Sequence, residues 1–304
     1  MTPPRAAMKA YAMLAIVMLL WAGNSVIGRA IRNDIPPFTF GFARWALACL
    51  IVLPLVAKRL RADRAMLLQH WPIVLGLGVI GVGGFNAFLY SGLHYTTATN
   101  SLLLQAAIPA GVLIMDRLFY GVKPLRQQIL GVSLSTLGVL EIIFRGDLAA
   151  ITGLHFGRGD ALVMCGVVAW SIYTALLRRR PPVDAASLLA ATFVIGAMTM
   201  APLAATEWTQ AMQIVWRPGV IAAVAYVAVL PSIVAYFLYN RAVADIGPGK
   251  AGQAISLMPL FGALLAMATL REPLHGYHLI GMGLILGGIA VTALAGRVKR
   301  HPST

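Results

Sequence analysis

The sequence predicts an all-α integral membrane protein: ten transmembrane helices arranged as two inverted five-helix repeats, with both termini cytoplasmic. Three observations predict it. Apolar runs of spanning length fill the chain, its two halves match each other in order, and its cationic residues are shared unevenly between alternate loops. Of the 304 residues 59% are apolar and only 11% are charged, and the mean hydropathy is +0.81. A soluble chain of this length needs far more charge to cover its surface. Strong period-two alternation is absent, which disfavours a membrane barrel.

A spanning helix takes about 20 apolar residues. Such runs occupy 11–30, 38–57, 71–91, 97–119 and 126–144, then 158–178, 187–206, 218–239, 250–269 and 277–295. The first run exceeds a usual signal-peptide core, lacks an A-x-A cleavage site and has a counterpart in the second half, so it is expected to remain as a helix. The third holds Gly81, Gly83 and Gly84 near its middle, and the eighth holds Pro231 in the corresponding region. The fourth and ninth carry Pro109 and Pro259 at matching places, where each removes a backbone hydrogen bond and kinks its helix. In lipid such interruptions are tolerated where neighbouring helices or a wet cavity satisfy the freed groups. Packing kinks and cavity-lining hinges both fit at this stage.

Several local patterns read as packing. Gly76 to Gly81 matches G-x-G-x-x-G but lies within a spanning run rather than a βαβ unit, so close helix packing explains it. Gly283 and Gly287 have G-x-x-x-G spacing, which suits a close contact inside the chain or in a homodimer. His275 and His278 lack a third ligand and read as an interfacial pair. Cys49 and Cys165 lie in apolar runs as small hydrophobes, with no disulfide framework implied. No cofactor or metal is expected.

Sliding the chain against itself by 149 or 150 residues gives an ordered match. Trp21 meets Trp170, Phe88-Leu89-Tyr90 meets Phe237-Leu238-Tyr239, and Pro109 meets Pro259. Pro124-Leu125 meets Pro273-Leu274, and Gly131 and Gly138 meet Gly281 and Gly288. The fixed order carries the argument rather than any single pair. The repeats are 1–147 and 148–304. Five is odd, so the second copy crosses the membrane in the opposite sense, the architecture behind alternating access, with substrate near the midplane where the halves meet.

The net charge is +14, from 24 Lys and Arg against 10 acids. In a soluble protein that would suggest nucleic acid. With cytoplasmic termini, 17 cations fall on the inner side, among them Lys58, Arg59, Arg61, Arg64 and Arg178 to Arg180. Six fall outside, Arg29, Arg32, Arg145, Arg158, Arg217 and Arg271, with Arg44 inside the second run. This is the positive-inside bias, and it removes the need for a nucleic-acid partner.

Polar residues four apart share a helix face. Asn86, Tyr90 and His94 form one row, and Ser232, Tyr236 and Asn240 another, with Tyr239 one step aside. Trp21 with Asn24 or Ser25, Trp170 with Tyr173 or Thr174, Ser101 with Gln105, and Gln253 with Ser256 make shorter rows. Polar groups in hydrocarbon must be paired or wetted, so these rows are expected to face a central cavity. The competing readings are interhelical hydrogen-bonding glue for the small polar residues and interfacial anchoring for the aromatics and His94. Arg44 could meet a substrate carboxylate. Its place about two turns from the outer end of its run favours a structural role, snorkelling to headgroups or bonding loop carbonyls. Glu141 and Asp116 read as interface residues, Asp116 with nearby basic groups.

The motifs Trp21-Ala22-Gly23-Asn24, Phe42-Ala43-Arg44, Tyr90 to Thr96 leading to Pro109, Trp170 with Tyr173, the stretch 239–259 and Glu272-Pro273-Leu274 cover almost the whole chain in order. Together they resemble the drug/metabolite transporter superfamily, specifically its EamA-type exporters, and most of all the YddG-type exporters of aromatic amino acids and other neutral solutes. The family often repeats Glu-Pro-Leu in the first half, where this chain has Lys123-Pro124-Leu125.

The resemblance implies a secondary transporter that exports a small neutral or zwitterionic solute, an amino acid or related metabolite, across the inner membrane. Its expected partners are that solute and lipids, as a monomer or homodimer. Substrate contacts are expected from Trp21, Asn24, Asn86, Tyr90, Gln105, Trp170, Tyr173, Tyr236, Tyr239 and Ser256, with Arg44, Pro109, Pro231 and Pro259 structural or gating. The chain has no G-x-x-x-x-G-K-[ST] motor signature and no titratable group clearly at mid-membrane. Gradient-driven flux is the simplest energetics, with proton coupling open. A drug or other-metabolite carrier of the same fold is the nearest alternative. A membrane-embedded enzyme would want a catalytic cluster, which is not visible in the sequence.

Overall fold

The computed structural model describes residues 4–144, 157–270 and 276–294. The sequence-derived positions Arg145, Arg271, Glu272-Pro273-Leu274, His275 and the cations from Arg297 onward lie outside them, as does the side chain of His278. The described residues are helical, with no strand among them. The first half holds α1 (Pro4–Ala30), α2 (Pro37–Gln69), α3 (Trp71–Tyr95), α4 (Ala98–Gln105), α5 (Ile108–Tyr120) and α6 (Arg126–Phe144). The second holds α7 (Arg158–Leu176), α8 (Ala185–Ala205), α9 (Pro218–Ile246), α10 (Pro248–Gln253), α11 (Leu257–Leu270) and α12 (Gly276–Leu294).

Six of these segments are long and apolar enough to cross a bilayer: Ala7–Ala30, Pro37–Gln69, Trp71–Tyr95, Arg158–Arg179, Ala185–Ala205 and Pro218–Ile246. The expected continuous helices at 97–119 and 250–269 are broken instead. α4 stops at Gln105 before α5 starts at Ile108, and a 3-10 turn, Ala254–Ser256, separates α10 from α11. Pro109 and Pro259 therefore stand in the first turns of α5 and α11 rather than kinking helix interiors. There the missing N–H had no intrahelical partner to lose. α2 also outruns its apolar stretch, carrying Lys58, Arg59, Arg61 and Arg64 on a helical extension to Gln69.

The glycines of α3 and Pro231 of α9 mark a different device. Leu77–Gly84 and Ala228–Val234 are π-helical, at equivalent places in the two halves. Such widened turns expose backbone groups and cluster at functional sites. The G-x-G-x-x-G glycines serve packing, as expected. A Cβ on Gly81 would sit 2.0 Å from the Tyr173 ring, and one on Gly78 would sit 2.5 Å from Ile195.

Packing between the halves comes in related pairs. α3 lies on α7 while α9 lies on α1; α5 lies on α7 while α11 lies on α1; α2 meets its counterpart α8, and α6 meets α12. The α6–α12 contact is close because Gly131 faces Gly288 and Gly138 faces Gly281, each opposite its neighbour's repeat partner. Gly283 meets nothing within 4 Å and Gly287 only Leu134, so the G-x-x-x-G pair does not make this contact. Large apolar side chains such as Leu50, Leu55, Leu118, Leu137, Met198 and Leu279 point outward, which suits a lipid-facing surface. Cys49 and Cys165 are free, the first half-buried and the second exposed on that surface.

Candidate functional site

Four long helices bring the predicted aromatics together at the centre. Trp21 of α1 meets Trp170 of α7 edge to face at 4.9 Å, and lies 5.1 Å from Tyr239 and 6.0 Å from Tyr236 of α9. Trp170 also touches Tyr173 at 4.8 Å and Phe85 at 4.8 Å. Trp45 of α2 and Phe193 of α8 extend the cluster to Tyr236. These geometries are the offset and edge-on packings that aromatic quadrupoles favour. The π turns lock into the same cluster. The Trp21 indole N–H donates to the Pro231 carbonyl at 3.0 Å, and the Tyr236 hydroxyl donates to the Gly81 carbonyl at 3.1 Å. Residues 81 and 231 are repeat equivalents, so each half offers a carbonyl from its π turn to an aromatic donor.

Beside the aromatics lies a polar centre built on Arg44. The buried positions of α2 (Phe40, Gly41, Arg44, Trp45, Ala48, Val52, Val56) form one stripe toward the bundle interior. Arg44 is on that stripe and 1% exposed, so it does not snorkel or bond loop carbonyls as its distance from the helix end had suggested. Its guanidinium donates to Asn86 Oδ1 at 2.6 Å, to the Tyr90 hydroxyl at 2.6 Å, to Asn24 Oδ1 at 3.5 Å and to Ser232 Oγ. Tyr90 in turn donates to Asn24 at 2.9 Å, and Asn86 anchors itself to the Val82 carbonyl. Arg44 also sits 4.5 Å from the Trp45 ring centre, a cation–π distance.

Trp21, Asn24, Ser25, Arg44, Gln105 and Trp170 are among the walls of a cavity of about 20 Å³ between the halves. That is room for about one water; of the ten predicted contacts Trp21, Asn24, Gln105 and Trp170 line it, while Asn86, Tyr90, Tyr236 and Tyr239 pack in the polar and aromatic clusters beside it. Tyr173 is drawn away to donate to Asn240 at 2.7 Å, and Thr174 pairs with Tyr239 at 3.0 Å. Ser256 is buried in the turn before α11, next to the cavity's Ile255. Gln253, its partner in the predicted row, instead donates to the Gly288 carbonyl of α12 at 2.8 Å, as glue. Ser101 is held by Gln105 of its own helix.

The two ends of the bundle differ. At the end holding the α1–α2 and α8–α9 loops, a cavity of about 590 Å³ is lined by Arg32, Asp34, Phe38, His94, Arg158 and Glu207 among others. Phe40 and Tyr90, with ring centres 4.7 Å apart, follow it along α2 and α3 toward Arg44. Glu207 was not singled out in the sequence. Its carboxylate accepts from the backbone N–H groups of Phe38 and Thr39 at 3.2 and 2.7 Å, capping α2, whose start at Pro36-Pro37 has no side-chain cap of its own. Asp34 pairs with Arg217 across the same end. At the opposite end Asp116 of α5 holds Arg178 of α7 through two bonds at 2.8 and 2.7 Å, so its basic partner comes from the other half of the chain.

A family model described as EamA-like transporter family matches the chain twice, at residues 8–144 and 157–294. An uncharacterized transporter of Archaeoglobus fulgidus is 28% identical over 96% of this chain and 99% of its own length. The uncharacterized transporter YyaM of Bacillus subtilis is 26% identical over 85% of each chain. A probable amino-acid metabolite efflux pump of Salmonella typhimurium is 23% identical over 94% of this chain and 95% of its own length. A solved crystal structure shares the fold with a TM-score of 0.72 at 20% identity, over 96% of this chain and 99% of that one. The apolar spans and these relatives mark a multi-pass protein of the inner membrane. With the family match covering both halves and the relatives spanning nearly its full length, the chain belongs to the EamA-like transporter family.

Proposed function

We propose that this transporter moves a small neutral or zwitterionic solute, an amino acid or related metabolite, by alternating access, and works as an exporter. The observation that carries the reading is the asymmetry of the bundle. A gathered aromatic and polar cluster lies between the halves, with a 590 Å³ vestibule at one end and the Asp116–Arg178 pair at the other. Ten spans as two inverted repeats, meeting near residue 147 with both termini cytoplasmic, are the topology that fits this reading. The paired contacts of the halves support it, and the charge bias supports a vestibule that faces outside. Broken helices at the repeat interface are the usual material of such sites. Trp21, Asn24, Asn86, Tyr90, Gln105, Trp170, Tyr236 and Tyr239 are then substrate contacts, and Tyr173 and Ser256 come into use when the cluster opens. The relative's name, an amino-acid metabolite efflux pump, supports both the solute class and the direction.

Saturable, competable counterflow of labelled amino acids in proteoliposomes containing only this protein is the expected result. Flux without saturation points to a channel, and no flux of any small solute removes the reading. The described carboxylates lie away from Arg44, with Asp116, Asp160 and Glu207 all held near helix ends. Gradient-driven exchange is the simplest energetics for this arrangement, and on it counterflow is expected to be indifferent to an imposed pH gradient.

A further inference from the structure

We infer that Arg44 is the anion anchor of the transport site, so that the transported solute carries a carboxylate; the inference rests on the transport reading above. Arg44 is almost wholly buried, and all of its hydrogen-bond acceptors are neutral: two amide oxygens and two hydroxyls. Among the described residues no carboxylate lies within ion-pair distance of it. Four acids of the bundle are engaged elsewhere: Asp116 with Arg178, Asp34 with Arg217, Asp160 with Thr96 and the α7 start, and Glu207 with the α2 start. A guanidinium stays protonated under all physiological conditions, and a buried cation without a counter-ion is costly. Chains retain such a charge where a ligand supplies the missing anion.

Position and shape agree with this role. Arg44 borders the small cavity between the halves. A second group facing that space, the Ser25 hydroxyl, is fully buried and has no hydrogen-bond partner. Guanidinium and hydroxyl together offer donors to a planar anion, and Arg forks match carboxylates in particular. Arg32 and Arg158 line the wall of the vestibule, where Asp34 is ion-paired with Arg217 and the Glu207 carboxylate is turned to the backbone N–H groups at the α2 start. The aromatic cluster beside Arg44 would take an apolar body. Arg44 also ties α2 to α1, α3 and α9, so an arriving carboxylate would compete with these bonds, of which the one to Ser232 joins the two halves.

The test uses the full chain in proteoliposomes with phenylalanine, methionine, threonine and 3-phenylpropionate, each against its own primary amide. In the unmodified protein each transported acid is expected to compete at concentrations at least about tenfold below its amide, the loss expected of a charge-assisted hydrogen-bonded pair. Arg44→Lys should keep that preference with a raised KM. Arg44→Gln should shrink it to about twofold or less. Acid and amide competing alike in the unmodified protein, or a tenfold preference surviving in Arg44→Gln, overturns the assignment while leaving the transport reading intact. No saturable flux of any solute in the panel overturns the inference, whereas the transport reading falls only when no small solute shows flux. Should Arg44→Gln fail to fold, thermal stabilisation of the unmodified protein decides the matter. Acids must stabilise it at about tenfold lower concentration than amides, and equal stabilisation overturns the assignment.

Discussion

At the scale of single residues, the informative atom is Asn86 Oδ1, 2.6 Å from the Arg44 guanidinium. Replacing Asn86 with Asp puts a fixed carboxylate there without changing the size of the side chain. An internal counter-ion should raise the melting temperature in detergent or leave it unchanged. It should also cut saturable flux by about tenfold or more, since a competing pair worth 1.4 kcal/mol already costs that factor. Tyr90→Phe asks a milder question. It removes the hydroxyl that accepts from Arg44 and donates to Asn24, leaving Asn24 and Asn86 to carry the load, and should cost about 1–3 kcal/mol of stability. A melting temperature unmoved by that change would mean the hydroxyl is idle. The sequence made Trp21, Asn24, Asn86 and Tyr90 legible because polar and aromatic groups at helical spacing inside apolar runs must face something other than lipid. It could not show Glu207 as a cap, because the backbone groups that carboxylate satisfies lie 169 and 168 residues away. Nor could position along α2 alone tell that Arg44 lies on the stripe turned away from headgroups.

Among the elements, the two π turns and the α6–α12 contact carry the repeat. Interruptions in α3 and α9 were visible as glycines and a proline, but their form was not. A π turn is fixed by where its freed carbonyls find donors, and those donors, Tyr236 and Trp21, come from distant segments. The α6–α12 contact gives a clean contrast between glycines. A Cβ on Gly138 would lie 2.5 Å from the Gly281 carbonyl oxygen, whereas one on Gly283 meets nothing within 4 Å. Gly138→Ala must push two helix backbones apart, an overpacking cost of about 1–3 kcal/mol. Gly283→Ala lies on an open face, where replacing glycine in a helix is neutral or stabilising by up to about 1 kcal/mol. Thermal denaturation of the two variants side by side checks the pair. Equal losses would mean that the G-x-x-x-G face is buried after all, against another copy of the chain.

Across the whole molecule, the proposed alternating access requires that the ties at one end break as the other end closes. In this structure the Asp116–Arg178 pair fastens α5 to α7 at the end opposite the vestibule, reinforced by Tyr173 with Asn240 and Thr174 with Tyr239. The Asp116 side chain is 4% exposed and that of Arg178 is 36%. Solvent screening at the arginine keeps the pair's contribution to about 1 kcal/mol. A tie of that size is small against fold stability but large against an equilibrium between two carrier states, where 1.4 kcal/mol shifts populations tenfold. Asp116→Asn should therefore leave the protein folded and move it toward the state open at the other end. In a Cys49→Ala, Cys165→Ala background, a cysteine at Ser91 reports the vestibule and one at Thr174 reports the opposite end. Adding Asp116→Asn should raise reaction of the Thr174 cysteine with a small aqueous thiol reagent severalfold and lower that of the Ser91 cysteine. A rise at both sites would instead mean that the pair only holds the bundle together, and that the two ends are not coupled through it.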